Sequence, residues 1–189
     1  MKPADPAAMR KGRIYLLLIA LVFVAPMIVA GLLSWGGWQP GTRGHGEPIL
    51  PQRNFVDEQL RVQLDNGRFY AWRDTQPRLT LVALAGPDCA AQCLATLTSM
   101  AAARVTLNRN QSRLRLLYLG TPPVDEAHDG MRNYWQLGQD VHDKLATYRP
   151  TVPDSVSAVL VESNGTALSL YPAGFDPSGL RRDLQKVIK

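Results

Sequence analysis

The sequence predicts an α/β domain with a mixed sheet and flanking helices, preceded by one N-terminal transmembrane helix. Three observations predict this fold class. Short apolar runs of strand length alternate with segments whose apolar residues recur at helical spacing. Asn-Gly pairs and stretches rich in Gly and Pro separate these segments. An uncharged run of about 22 residues lies near the N-terminus. The 189 residues therefore suffice for one domain of moderate size and an additional helix.

Residues 14–35 form the candidate transmembrane helix. A helix of this length can cross roughly 30 Å of hydrocarbon. The basic residues 1–13 precede it, so the positive-inside rule puts the N-terminus in the cytoplasm. A cleaved signal peptide is the alternative, but its apolar region would be shorter, at about 7–15 residues. We therefore expect a single-pass protein of the inner (cytoplasmic) membrane whose main domain lies in the periplasm.

The composition excludes two other classes of protein. The net charge is +5, but much of it belongs to residues 1–13, and both signs are interspersed elsewhere. This pattern gives no indication of nucleic-acid binding. The two cysteines are too few for a small scaffold held by disulfides, and a hydrophobic content of 46% supports a real core.

The remaining elements follow in order along the chain. Residues 36–54 are rich in Gly and Pro and predict a linker, in which His45 is solvated. The domain over 55–189 begins with alternating residues on both sides of Asn66-Gly67, which predict a β-hairpin. The further strands are predicted over 79–84, 114–119, 156–161 and 167–171, and the helices over 90–107, 131–148 and 177–188. Asp88 is predicted to cap the first of these helices and Asp176 the last. Tyr134 and Trp135 are predicted to lie in the core, and Arg181 and Arg182 to be solvated.

Cys89 and Cys93 are the only cysteines, and they lie where a predicted strand gives way to a helix. The unpaired N–H groups and the dipole of a helix N-terminus favour a thiolate, so they lower the pKa of such a thiol. The second thiol, one turn further on, is within reach of the first. Such a pair can exchange a disulfide or bind a soft metal ion. A structural disulfide is the alternative, but closing so short a loop adds little stability.

Several segments carry a resemblance to a known family. They are the anchor, the strand LTLVALAG, the cysteine pair, the strand LRLLYLG and the hairpin SAVLVESNGTALSLY. In these the chain resembles the thioredoxin superfamily, and more narrowly the Sco/SenC family of copper chaperones for cytochrome c oxidase, which carries C-x-x-x-C at this place. It is also similar to small anchored thioredoxin-like proteins associated with bacterial oxidase assembly.

The resemblance implies a thioredoxin-like fold and a role in cytochrome c oxidase biogenesis, by thiol–disulfide exchange or copper handling. Cys89 and Cys93 would form the redox pair and are the candidate copper ligands. Cys89 would be the more exposed thiol with the lower pKa, and Cys93 the resolving one. The implied partner is an oxidase subunit or another assembly factor. A non-catalytic scaffold that binds such a partner, with the cysteines held as a disulfide, remains the alternative.

The chain departs from the family at the third copper ligand, which is a histidine about eleven residues before the turn glycine. Counting back from Gly165 gives Asp154. A carboxylate is a hard donor and matches Cu(I) poorly. His128 or His142 could replace the histidine only if residues 121–150 folded back over the cysteines. Copper is the one candidate cofactor, and this departure argues against copper binding of the family type. The resemblance also implies a cis proline at Val152-Pro153, with a trans turn proline as the alternative.

Overall fold

The computed structural model describes residues 6–35, 44–122 and 130–188. The chain divides into two compact units, residues 1–43 and 44–189, and each is described by itself. The first unit contains helix α1 (Pro6–Trp35), with Pro26 inside it. Among the described residues, no helix combines the length and the apolar character that crossing a membrane requires. The predicted transmembrane helix over 14–35 is therefore not confirmed.

The second unit is built on a seven-stranded mixed sheet, which confirms the predicted α/β class with flanking helices. Its strand order is β1-β7-β6-β3-β4-β5-β2. The elements are β1 (Glu47–Pro48), β2 (Val62–Leu64), β3 (Leu79–Ala85), α2 (Ala91–Val105), β4 (Leu114–Leu119), β5 (Gln136–Asp140), β6 (Val156–Val161), β7 (Ala167–Tyr171) and α3 (Pro177–Val187), with short 3₁₀ helices at Asn108–Arg113 and Ala146–Tyr148.

Strand β3 lies at the centre, parallel to β4 on one side and antiparallel to β6 on the other. Its alternate side chains point to opposite faces of the sheet. Leu81 belongs to a core cluster that also contains Leu97 of α2 and Leu180 of α3, whereas Val82 belongs to a second cluster on the opposite face. Because both faces are covered, β3 and β6 read as continuous apolar runs, as predicted.

The predicted helix over 131–148 is wrong, because this segment contains β5. Strand β5 pairs in parallel with β4 and antiparallel with β2. Gly138 is unfavourable in a helix, but in the sheet it lets the backbones of β5 and β2 approach closely. A Cβ at residue 138 would lie 2.9 Å from the carbonyl oxygen of Gln63. Pairing with two neighbouring strands therefore outweighs the local helical spacing. Trp135 is buried as predicted, but Tyr134 is 51% exposed.

The predicted β-hairpin around Asn66-Gly67 is present only in part. The turn exists, with Gly67 at a φ of 78°. The two arms, however, meet in a single bridge between Gln63 and Phe69. Strand β2 takes its main pairing from β5 instead.

The sheet unit starts before residue 55, where the sequence places the end of a linker. Strand β1 pairs antiparallel with β7, and Ile49 is buried. His45 is exposed, as predicted, but it is not free in a linker, because its backbone N–H and its Nδ1 both contact the carboxylate of Asp183, at 2.5 and 3.3 Å. These contacts to a buried carboxylate fix the first residues of this unit to α3.

The last helix agrees with its prediction. Asp176 accepts hydrogen bonds from the backbone N–H groups of Ser178 and Gly179, at 2.9 and 3.0 Å. It therefore caps α3 in the usual way for an aspartate at this position. Arg181 and Arg182 are exposed.

Candidate functional site

Cys89 and Cys93 form a disulfide at the start of α2, with their Cα atoms 5.2 Å apart. Cys93 lies in the first turn of the helix and is fully buried in the core beneath the sheet. Cys89 precedes the helix and is half-buried. An approaching reactant therefore meets Cys89 first.

The loop between β3 and Cys89 lies against the loop that precedes β6. The backbone N–H of Gly86 donates to the carbonyl of Ser155 at 2.9 Å. A Cβ on residue 86 would lie 2.6 Å from the carbonyl oxygen of Val152 and 3.1 Å from that of Pro150. Only glycine allows this approach, and through it residues 150–155 lie beside the disulfide loop.

Asp154 caps α2 from this neighbouring loop. Its Oδ1 accepts hydrogen bonds from the backbone N–H groups of Ala90 (2.8 Å) and Cys93 (2.9 Å), and its Oδ2 accepts one from Gln92 (2.9 Å). The residue at the cap position itself is Ala90, which offers no side-chain acceptor. The prediction that Asp88 caps this helix is therefore wrong.

The backbone of Asp154 is also held in place. Its N–H donates to the carbonyl of Pro87 at 2.9 Å. Its φ of 53° lies in the left-handed region, which aspartate tolerates better than most residues. Both the main chain and the side chain of Asp154 thus face the segment from Pro87 to Cys93.

Hydrogen bonds stabilise the ionised form of Asp154. The N–H groups of Cys93 and Gln92 lower the pKa of this carboxyl from its ordinary value, with a smaller contribution from Ala90, and partial burial opposes them. A carboxylate at a helix N-terminus is also favoured by the helix dipole. The donors that would stabilise a Cys89 thiolate are therefore already occupied by the carboxylate of Asp154.

These residues do not fit the copper site of the Sco family. The resemblance puts the third ligand at position 154, where both carboxylate oxygens accept backbone hydrogen bonds. His142 is exposed in the turn after β5, and His128 lies outside the described residues. Within the described part of the chain, no three histidine, cysteine or carboxylate side chains come together as a metal site.

The proline loop also differs from the family pattern. Among the described residues, the cis peptide bond is the one between Leu50 and Pro51. The bond between Val152 and Pro153 is trans, so the implied cis proline facing the cysteines is wrong.

An open cleft of about 700 Å³ lies at the carboxyl ends of the parallel strands β3, β4 and β5. Gly86, Pro87 and Gly120 form part of its wall, and Arg149 and Asp143 form another part. These last two side chains form an ion pair at 2.8 Å. Ligands of open α/β sheets bind at this edge, and Pro87 lies two residues before Cys89.

Sequence reasoning singled out Asp154, at the position of the family's third copper ligand, but missed its role as a cap. No local signal could have shown it, because the three donors lie 61 to 64 residues earlier in the chain. The role depends on the pairing of β3 with β6, which brings Ala85 next to Val156.

Comparisons with known proteins agree with this architecture. The family model for the transmembrane-like, thioredoxin-like C-terminal domain matches residues 79–189. No curated protein matches the sequence. Among solved structures, apo Sco1 protein from Thermus thermophilus is 15% identical with a TM-score of 0.54, and the match covers 76% of this chain and 96% of that one.

Two peroxide-related proteins share the same fold. The bacterioferritin comigratory protein of Xanthomonas campestris is 13% identical with a TM-score of 0.52, over 77% of this chain and 98% of that one. Peroxiredoxin Q of the same organism is 11% identical with a TM-score of 0.51, over 76% and 97%. These low identities establish a common fold. Because the family model spans more than half of the sequence, the chain belongs to the transmembrane-like, thioredoxin-like family, with a Sco-like fold of the thioredoxin superfamily.

Proposed function

We propose that this protein is a membrane-anchored thiol–disulfide factor of the bacterial periplasm that serves cytochrome c oxidase biogenesis. The observation that carries the proposal is the Cys89–Cys93 disulfide, placed at a helix N-terminus with Cys89 half-buried and Cys93 fully buried. This arrangement gives one sulfur an approach from solvent and protects the other, as a two-step exchange requires.

The exchange proceeds through a mixed disulfide. A partner thiolate attacks Sγ of Cys89, the S–S bond breaks, and Cys93 leaves with the electron pair and takes up a proton. A second thiol of the partner then attacks the mixed disulfide and releases Cys89. The partner dithiol becomes a disulfide and the Cys89–Cys93 pair becomes two thiols. Every step is reversible, so the opposite direction passes through the same mixed disulfide.

Two features support the proposed location in the membrane and the proposed role in cytochrome c oxidase biogenesis. The predicted helix over 14–35, with basic residues before it, favours an anchor in the inner membrane with the sheet domain outside. The resemblance to the Sco/SenC family favours an oxidase subunit or an assembly factor as the partner, and the cleft beside Pro87 offers a surface for a polypeptide segment of that partner. Copper handling of the Sco type is disfavoured, because Asp154 replaces the histidine and is engaged by backbone N–H groups.

A second candidate is a non-catalytic scaffold that binds the same kind of partner. The observation that favours it is the complete burial of Cys93 in the core cluster, together with the hydrogen bonds that hold its loop. In that case the disulfide only stabilises the surface that the partner contacts.

Single and double cysteine variants in cells separate these functions. In Cys93→Ser, the Cys89 thiolate can attack the disulfide of the oxidised partner and release one partner thiolate, but no Cys93 thiol remains to resolve the product. We therefore expect a mixed disulfide with the partner to accumulate, visible on a non-reducing gel. Cys89→Ser is the matched control and should accumulate none, because Cys93 is buried. The Cys89→Ser, Cys93→Ser double variant should lose oxidase activity at an unchanged protein level. Full oxidase activity in that double variant would support the scaffold instead.

A further inference from the structure

Asp154 forms hydrogen bonds to the disulfide loop before Cys89, between the two cysteines and at Cys93. Its backbone N–H binds the carbonyl of Pro87, two residues before the first cysteine. Its carboxylate binds the N–H groups of Ala90 and Gln92, which lie between the cysteines, and that of Cys93 itself. None of these four hydrogen bonds involves a sulfur atom, so all of them can persist when the disulfide is opened.

The first consequence concerns ring closure. A reduced loop that is free to move must lose conformational entropy before the two sulfurs can meet. The hydrogen bonds to Asp154 fix the backbone from Pro87 to Cys93 in the arrangement that places the two cysteine Cα atoms 5.2 Å apart. The reduced pair has already lost much of this entropy, which favours the disulfide form.

The second consequence concerns charge. Donors at a helix N-terminus stabilise a nearby thiolate, and stabilising the reduced form makes a disulfide easier to reduce. In this protein Asp154 occupies the donors of Ala90, Gln92 and Cys93 with a negative charge. A thiolate beside that charge is repelled instead of stabilised. The repulsion of a thiolate by Asp154 and the reduced entropy cost of ring closure therefore both favour the disulfide form.

We propose that Asp154 is a positioning residue that favours the disulfide form of the Cys89–Cys93 pair, so that opening the disulfide requires a more reducing dithiol partner than the pair would otherwise need. This proposal rests on the thiol–disulfide function and specifies its partner by chemistry. In the reaction one partner dithiol becomes a disulfide, two electrons and two protons pass to the pair, and Cys89 and Cys93 become thiols.

The test is a redox equilibrium of the full chain with mixtures of reduced and oxidised dithiothreitol at pH 7. Alkylation and a gel shift measure the fraction of open disulfide. We expect Asp154→Asn, which removes the charge at nearly constant shape, to raise the equilibrium constant for reduction three- to tenfold; a tenfold change corresponds to about 30 mV for this two-electron couple. Asp154→Ser, which keeps a neutral acceptor, should shift it in the same direction and serves if Asp154→Asn does not fold.

The matched control is Asp176→Asn, because Asp176 caps α3 through two backbone N–H groups as Asp154 caps α2. If the loss of any helix cap shifted the equilibrium constant for reduction, Asp154→Asn and Asp176→Asn would both shift it. The proposal therefore requires that Asp176→Asn leave this constant unchanged. An unchanged constant in both Asp154 variants, or an equal shift in Asp176→Asn, overturns the proposal. The cysteine variants in cells test the function separately, since a dispensable pair can still show this shift and an essential pair can lack it.

Discussion

The carboxylate of Asp154 accepts a 2.9 Å hydrogen bond from the backbone N–H of Cys93, a residue 61 positions earlier in the chain. This bond joins the loop before β6 to the first turn of α2. The geometry of the cysteine site is therefore a property of the folded sheet and cannot arise in the isolated loop.

Copper binding gives the first prediction. The reduced full chain should bind Cu(I) weakly, because two thiolates lack a third soft ligand. Asp154→His supplies an imidazole beside the same helix turn and should raise the affinity at least about tenfold. Competition with a chromogenic Cu(I) chelator measures both proteins.

The control for this experiment is Asp154→Asn, which removes the carboxylate without adding a soft ligand and should bind Cu(I) clearly more weakly than Asp154→His. Equally tight binding by the wild type and Asp154→His would mean that another residue completes the site.

The ionisation of Asp154 gives a pH-dependent prediction. Its pKa is lower in the folded protein than in the unfolded chain, chiefly because of the N–H groups of Cys93 and Gln92. Its contribution to stability is therefore present above the unfolded pKa and is lost as the pH falls through the folded pKa. Between about pH 5 and pH 2 the wild type should lose more stability than Asp154→Asn.

Thermal unfolding of the oxidised proteins from pH 7 to pH 2 measures this difference. The two melting temperatures should differ most at neutral pH and converge in acid, where the wild-type carboxyl is also neutral. A gap that stays constant over this range would show that the charge of Asp154 does not stabilise the fold.

Gly86→Ala tests the close approach of the two loops. The new methyl group would lie 2.6 Å from the carbonyl oxygen of Val152, a backbone atom that can move only with its loop. We expect the free energy of unfolding to fall by about 1–3 kcal/mol, the usual cost of an overpacked site. Urea denaturation of the oxidised protein measures it.

Gly130→Ala is the matched control, since a Cβ at residue 130 meets no described atom within 4 Å. Its effect should stay within about 0.5 kcal/mol. If Gly86→Ala were equally harmless, the loop before β6 would be free to shift, and the contacts of Asp154 would be less fixed than the structure indicates.

Asp183 gives a prediction for the start of the sheet unit. Its side chain is 8% exposed and accepts from the backbone N–H of His45 and from the hydroxyl of Tyr171. Burial raises the pKa of Asp183, but the hydrogen bonds from His45 and the backbone N–H of Gly46 together outweigh burial and leave this pKa below its ordinary value. Asp183→Ala removes these acceptors, so it should cost about 1–3 kcal/mol of stability.

The readouts are urea denaturation and limited proteolysis, since cleavage around residues 44–50 should become faster when His45 loses its anchor. Gln185→Ala, at an exposed position of the same helix, is the control and should change neither. Unchanged proteolysis in Asp183→Ala would mean that β1 alone holds this segment.

Local signals made much of the sheet predictable. Strands β3, β4 and β6 are buried on both faces and therefore stand out as apolar runs, and α2 shows regular helical spacing. The cysteine pair was recognisable for the same reason, because its two members are four residues apart at a strand–helix junction.

Long-range contacts decide what could not be predicted. Strand β5 reads Gln136-Leu-Gly-Gln-Asp140, with one large apolar residue, and owes its conformation to β4 and β2 on either side. The cap of α2 likewise comes from a distant loop and not from the adjacent Asp88. In both places the partner of a backbone group lies far away in sequence, where neither propensity nor spacing can indicate it.

The two outer strands of the sheet are very short. Among the described residues, β1 has two residues, one of them Pro48, and β2 has three. Proline cannot donate to a further strand, and so few free backbone groups give little template for edge-to-edge pairing. These edges therefore disfavour recognition of this domain by addition of a strand to the sheet and favour recognition through side chains and loops.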